Sequence, residues 1–173
     1  MSPPIELTSV PSWAVAPSVP PADLTGTTFS VFAFGDAAEQ VVDAWVGALA
    51  PSPVAVHHPS GTGAADLDAD LATARVGWRA MLVGPLVEVL TLRAHALAKG
   101  LADDEIVVAT TSTSLRPVRC VHCAADTVTT AGIGETTTCV CCGLELLVYH
   151  HVSRLQGVFL GFQVDAERWE GPT

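Results

Sequence analysis

All five cysteines of this chain fall between positions 120 and 142. Cys120 and Cys123 form one C-x2-C pair, Cys139 and Cys142 form another, and fifteen residues lie between the pairs. Two cysteines three apart on a tight turn aim both sulfurs at one point, and the turn amides face inward toward the thiolates. Two such turns on adjacent hairpins complete a tetrahedron of soft ligands. The spacing therefore predicts a metal centre made of Cys120, Cys123, Cys139 and Cys142. Zinc in such a site would be structural, because four protein ligands leave no open position. Iron also suits four thiolates and would carry one electron. The scarcity of aromatic residues between the pairs favours Zn(II), with Fe as the alternative. Gly143 follows Cys142 where a positive φ is often required; Ala124 holds the same place after Cys123 and departs from that pattern. Cys141, between two ligands, must point elsewhere as a spare thiol. His122 is expected at the exposed tip of the first turn.

The elements that must carry this centre divide the chain near residue 115. Residues 1–26 hold six prolines, few charges and no periodicity, and read as an extended arm with Trp13 and Leu24 as apolar anchors. Residues 27–114 alternate strand-like and helix-like runs. "TFSVFAF" reads as a strand closed by Gly35-Asp36. "AAEQVVDAWVGAL" follows as a helix with Val41, Val42, Trp45, Val46 and Leu49 on one face. "PVAVHHP" is a short strand, "SGTGAAD" a loop, and "LDADLATA" one or two helical turns. "RAMLVGP" is a strand, "LVEVLTLRAHALAKG" a helix capped by Gly100, and "EIVVATT" a fourth strand. Apolar strands separated by helices predict a small parallel-sheet α/β domain covered on both faces. "STSLRPVR", residues 112–119, reads as a linker. Residues 115–173 form a metal-binding β module of zinc-ribbon or rubredoxin-like type, ending in two strands around "SRLQG". Adjacent His150 and His151 on the first of these strands should face opposite sides, one toward the module and one outward.

Composition narrows the function. The formal net charge is −10, with one lysine and seven arginines. Such a chain repels phosphate backbones and anionic lipid, so neither nucleic acid nor membrane is an expected partner. No apolar run reaches the roughly 20 residues of a spanning helix. The N-terminus lacks a basic region and is broken by prolines, unlike a secretory signal. A cytoplasmic location is expected, where clustered cysteines bind metal more often than they form disulfides. No G-x-G-x-x-G follows the first strand, so a dinucleotide has no fingerprint here.

Two resemblances add to this reading. "RAMLVGPLVEVLTLRAHALAKGLADDEIVVATT" resembles the last β-α-β of ferredoxin-reductase-type NAD(P)-binding domains, with Gly84 and Pro85 ending the strand and Leu101–Glu105 as the acidic loop. The two cysteine pairs, "YHHVSR" at Tyr149–Arg154 and "GVFLGFQVDAE" at Gly157–Glu167 resemble the small A subunit of bacterial dimethylamine monooxygenase. The resemblance runs from about residue 28 to 168. It implies a partner in a complex and not a catalyst alone, without catalytic residues or an organic cofactor of its own. The implied partners are a haem-containing oxygenase subunit and a flavin/iron–sulfur reductase subunit. Together these use NADPH and O2 to demethylate a secondary amine. Arg154, Phe159 and Phe162 are the expected partner-docking residues, with Arg116 and Arg119 adding a positive fringe beside the thiolates. The competing readings are a rubredoxin-like electron carrier and a zinc-ribbon adaptor without a redox role.

Overall fold

The computed structural model describes residues 8–164. Four parallel strands form the first sheet: β1 (Thr28–Ala33), β2 (Val54–His57), β3 (Trp78–Pro85) and β4 (Ile106–Ser112), in the order β2-β1-β3-β4. The helices between them are α1 (Glu39–Leu49), α2 (Ala64–Thr73) and α3 (Leu86–Ala98). Val42, Trp45 and Leu49 of α1 pack with Val31, Met81 and Val83 on one face of the sheet. Leu67 of α2 and Val89, Leu92 and Ala96 of α3 pack with Phe32, Phe34, Leu82 and Val108 on the other. A parallel sheet covered this way buries side chains on both faces, which is why successive residues are buried in β1 (Phe29–Ala33) and β3 (Ala80–Val83), all apolar but Ser30. The helix from Glu39 follows its expected face only in part: Val46 is exposed, at the edge of the apolar stripe. The segment read as one or two turns is a ten-residue helix, α2, started at Gly63 with φ +75°.

Five strands form the second sheet: β5 (Arg116–Cys120), β6 (Asp126–Thr129), β7 (Thr136–Thr138), β8 (Glu145–Ser153) and β9 (Val158–Gln163), in the order β6-β5-β9-β8-β7. Three of its four pairings are antiparallel; β5 and β9 run parallel, with Val118 opposite Phe159. Residues 116–119, read as linker, are thus part of a strand. Proline and two arginines hid it, since a long-range parallel partner leaves no local signal.

Helix α3 joins the two sheets. Val89, Leu92 and Ala96 face the first, while Leu86 and Leu90 share a core with Val118, Val148 and Phe159 of the second. A helix buried on two sides must be apolar nearly all round, and "LVEVLTLRAHALA" is. At Gly157, with φ +66°, an added Cβ would lie 2.4 Å from the Leu90 carbonyl oxygen, so the β8–β9 turn touches the helix backbone itself.

The arm is a fitted strap over the residues described. Ser18 and Thr110 exchange two backbone hydrogen bonds (3.0 and 2.8 Å), covering the open edge of β4. Trp45 Nε1 donates to the Pro20 carbonyl at 3.0 Å, and Arg79 Nε donates to Asp23 at 3.1 Å. Trp13 packs against the cores of both sheets and lies under the Arg93 guanidinium, 5.6 Å from the ring centre. Trp13 is the anchor it was expected to be. Leu24 does not anchor on the domain itself: its side chain is exposed. The first seven residues of the arm, and the Asp165–Glu167 end of the C-terminal motif, lie outside the described residues.

Candidate metal centre

The four cysteines of the two pairs meet. Cys120 ends β5 and Cys123 lies on the turn that follows; Cys139 and Cys142 bracket the turn between β7 and β8. Their sulfur atoms all lie within 4.8 Å of one another. Across the two turns, Cys120 Sγ is 3.7 Å from Cys142 Sγ and Cys123 Sγ is 3.6 Å from Cys139 Sγ. A tetrahedron with metal–sulfur bonds of about 2.3 Å has edges of about 3.8 Å. A disulfide needs about 2.05 Å, and all five cysteines are free. The spacing of the sulfurs is therefore that of a cage for one ion.

Local backbone geometry makes the cage. Ala124 N–H donates to the Cys120 carbonyl at 2.9 Å, and Gly143 N–H donates to the Cys139 carbonyl at 3.1 Å. These equivalent bonds close two equivalent turns. Both closing residues have left-handed backbones, Gly143 at φ +71° and Ala124 at φ +60°. Ala124 is the one non-glycine with positive φ among the described residues. It thus adopts the glycine conformation that its sequence did not suggest, held there by the pairing of Cys120 N–H with the Ala125 carbonyl at 2.9 Å.

The sulfurs differ electrostatically. The amides of Cys142 and Cys141 donate to Cys139 and bring its thiol down to about 6. The Leu144 amide favours the Cys142 thiolate too, but burial and hydrogen bonds with the other three sulfurs outweigh it and push that thiol up to about 12. Four sulfurs at such distances do not all ionise by themselves; a cation among them removes the conflict. Cys120 and Cys139 are buried, Cys123 and Cys142 half-buried, and His122 and Cys141 exposed at the same position of the two turns. That placement keeps both away from the sulfur cage.

The expected docking residues divide. Phe159 is fully buried in the core shared with α3 and offers no surface. Phe162, three residues on, faces outward and is 39% exposed. It meets Tyr149 edge-on at 5.1 Å, so Tyr149 belongs to this patch; its outward place on β8 was the available signal. Arg154 pairs with Asp103, which also pairs with Arg93. Burial first, and Arg154 second, lower the Arg93 guanidinium below its usual value. Arg119 makes a two-pronged bond to Asp126, 2.7 Å on each arm. The expected cationic fringe is thus mostly neutralised: Arg119 and Arg154 each hold a carboxylate, and Arg116 has a buried Nε without a partner among the described residues. His150 lies in phase with the buried Leu146, Val148 and Val152 of β8, and His151 lies out of phase with them. The β8–β9 register shifts between Val148 and Val152, both residues are half-buried, and His151 Nδ1 meets the Ser9 hydroxyl of the strap.

Fold and site together define an α/β protein that carries a four-cysteine β module. Residues 117–162 match the family described as "Dimethylamine monooxygenase subunit DmmA-like, C-terminal domain". The chain is also 40% identical over 115 residues to the "Heme-dependent oxidative N-demethylase delta subunit" of Ectopseudomonas mendocina (strain ymp). That stretch covers 64% of this chain and 64% of the relative. The module is similar to a DmmA-like C-terminal domain, and both matches support the resemblance read from the cysteine pairs and "YHHVSR". No solved structure matches the chain. Among the described residues, no helix is long and apolar enough to cross a membrane.

Proposed function

We propose that this protein is a non-catalytic subunit of a haem-dependent oxidative N-demethylase, and that its C-terminal module holds one Zn(II) as a structural clip. The observation that carries the reading is the sulfur cage inside the very segment that matches the DmmA-like domain. The relative's name, a delta subunit, supports a place in an assembly of several subunits. In that assembly the haem and the flavin and iron–sulfur groups reside on partners, and the substrate is a secondary amine such as dimethylamine. Cys120, Cys123, Cys139 and Cys142 close the coordination shell, so the ion orients β5–β9 and takes no substrate. The outward pair Tyr149 and Phe162 is the face offered to a partner subunit, with Arg154 and its Asp103 partner beside the α3 joint. Residues 27–114 and 115–173 act as two units of one subunit, the first a scaffold and the second the clip. The location is cytoplasmic.

The test is co-expression with the haem subunit. The expected result is a stable complex containing about one zinc per copy of this chain, and loss of co-purification when Phe162 is changed to Glu. Purification as a metal-free chain that binds none of the other subunits ends the reading. The rubredoxin-like alternative rests on the same four sulfurs, which also accept iron. A visible thiolate–iron absorption band from protein grown with iron and zinc at equal supply favours that alternative; a colourless zinc protein removes it.

A further inference from the structure

Apolar side chains line the outer face of the second sheet. An antiparallel pair packed on one side ordinarily turns polar residues to water. Here Leu146, Val148 and Phe159 are the inner set, in the core shared with α3. The outer set is Leu147 on β8 with Leu160 and Phe162 on β9, and the register puts Leu147 directly opposite Phe162. Tyr149 joins them through its edge-on contact with the Phe162 ring. The Val121 amide donates to the Gly161 carbonyl at 3.1 Å, beside Phe162, and the Val164 amide donates to the Glu145 carbonyl at 3.1 Å. Val121, Tyr149, Phe162 and Val164 are each 39–49% exposed. A contiguous apolar patch of this kind marks a surface that another molecule covers.

The charges around the patch give the sign of what covers it. Arg119 stands opposite Leu160, but both arms of its guanidinium are held by Asp126. Glu145 begins β8 two residues before Leu147, in phase with it, and has no ion pair among the described residues. The Tyr149 hydroxyl likewise has no hydrogen bond among them. The face thus shows a free carboxylate and a free phenol around an apolar centre, on a chain of net charge −10. A second copy of the chain brings the same carboxylate and the same net charge, and no free cation on this face answers them. A protein surface with an apolar centre and a basic rim answers both. This sign is opposite to the one implied by the arginines around the cysteines in the sequence.

We propose that the outer face of β8 and β9 docks a partner protein whose contact surface is apolar at its centre and rimmed by lysine or arginine. One of those cations pairs with Glu145, the Tyr149 hydroxyl hydrogen-bonds across the joint, and Leu147, Leu160 and Phe162 are covered. A tyrosine at the middle of an apolar contact has the composition of a binding hot spot, and opposed charges at its rim speed encounter and fix register. The inference rests on the reading of this chain as one member of an assembly, and adds to it the extent of the face and the charge that the partner presents.

The test titrates the full chain, by calorimetry, into the other N-demethylase subunits purified as a co-expressed complex. Sodium chloride should weaken the association of the unaltered chain. Glu145→Lys should weaken it about tenfold at low salt and reverse the salt dependence. Tyr149→Ala should weaken it about tenfold or more. Thr136→Arg, at an exposed place opposite Leu147, adds bulk and a repelling charge and should weaken it as well. Val46→Glu, on the outside of α1, should change nothing. Melting temperature and metal content are read alongside, and Glu145→Lys and Thr136→Arg should leave both as they are, because both positions are exposed. Association that none of the three face variants alters, or that Glu145→Lys strengthens, overturns the inference and leaves the assembly standing. A dimer of the chain alone that Tyr149→Ala dissolves also overturns it, since a second copy is then the occupant. A chain that binds none of the subunits ends both this inference and the reading it rests on.

Discussion

The two sheets are stabilised by different means. The first is enclosed: α1 covers one face, α2 and α3 the other, and Phe32, Leu82 and Val83 are fully buried. The second has little interior of its own. Strands β6 and β7 expose every other residue or more, and the buried side of β8 and β9 completes its core with Leu86 and Leu90 of α3 and Val10 and Ala14 of the strap. Where apolar burial is ample, as in β1–β4, no cross-link is needed. Where it is sparse, a cluster of four thiols takes the place that side-chain volume fills elsewhere. The comparison teaches that the module borrows stability twice, from the helix behind it and from the cysteines at its end.

Removing the cysteine link tests this most severely. Cys139→Ser should abolish metal retention and release amide protection across β5–β9, while β1–β4 keep theirs. Structural zinc contributes on the order of 10 kcal/mol to domains of this kind. Cys141→Ser should change neither. Metal analysis and hydrogen exchange read both, and a module that stays protected without metal would show that the α3 contact suffices.

Next in size is the α3 joint. Leu90→Ala should cost about 2–5 kcal/mol, because it opens a cavity between the helix and the second sheet. Gly157→Ala should cost about 2 kcal/mol or more: its Cβ would lie 2.4 Å from the Leu90 oxygen at a φ of +66°. Val46→Ala, on the exposed side of α1, should stay within about 0.5 kcal/mol. Denaturant unfolding followed by module-specific and sheet-specific probes should show the joint variants loosening the module first. Equal effects on both sheets would erase the distinction drawn above.

Acid should also separate the regions. Protons compete with metal for thiolates, so the module loosens first as pH falls. The Cys142 and Cys141 amides favour the Cys139 thiolate in the fold, so that contribution fades as pH falls. Asp23 behaves in the same sense lower down. Burial raises it, but the Thr25 hydroxyl and amide and the Arg79 guanidinium outweigh burial and lower it below 3.8. Its hold on the strap is present above the ordinary carboxylate range and disappears as pH falls through the depressed value. Tryptophan fluorescence and metal release followed together from pH 8 to 2 should give two steps, metal first. A single coincident step would mean that strap and module unfold as one.

The smallest effect is expected at Ala124→Gly. A left-handed alanine at φ +60° costs about 1 kcal/mol relative to glycine, partly offset by the greater freedom of glycine when unfolded. The variant should gain up to about 1 kcal/mol in the module and nothing in the first sheet. A loss on substitution would mean the alanine methyl packs usefully on the turn.

The sequence determined the local matters. Strand and helix runs from Thr28 to Ser112 follow from apolar periodicity, and the sulfur cage follows from two C-x2-C turns, because each depends on residues three or four apart. The tertiary structure decided what depends on distant partners. Residues 116–120 are a strand because Val118 meets Phe159 some forty residues away. Residues 64–73 are a full helix although only Leu67 and Leu71 mark an apolar side, because they close over Phe34 and Leu92. An odd separation on a strand puts Phe159 and Phe162 on opposite faces, but only the register against β5 and β8 makes Phe159 the inner one. That Arg154 stands opposite Asp103, and that a carboxylate oxygen of Glu88 is buried without a partner among the described residues, was decided by the fold. Charge and periodicity are written along the chain; which charge is answered, and which is left without a counterpart, is fixed only when segments far apart in sequence close on one another.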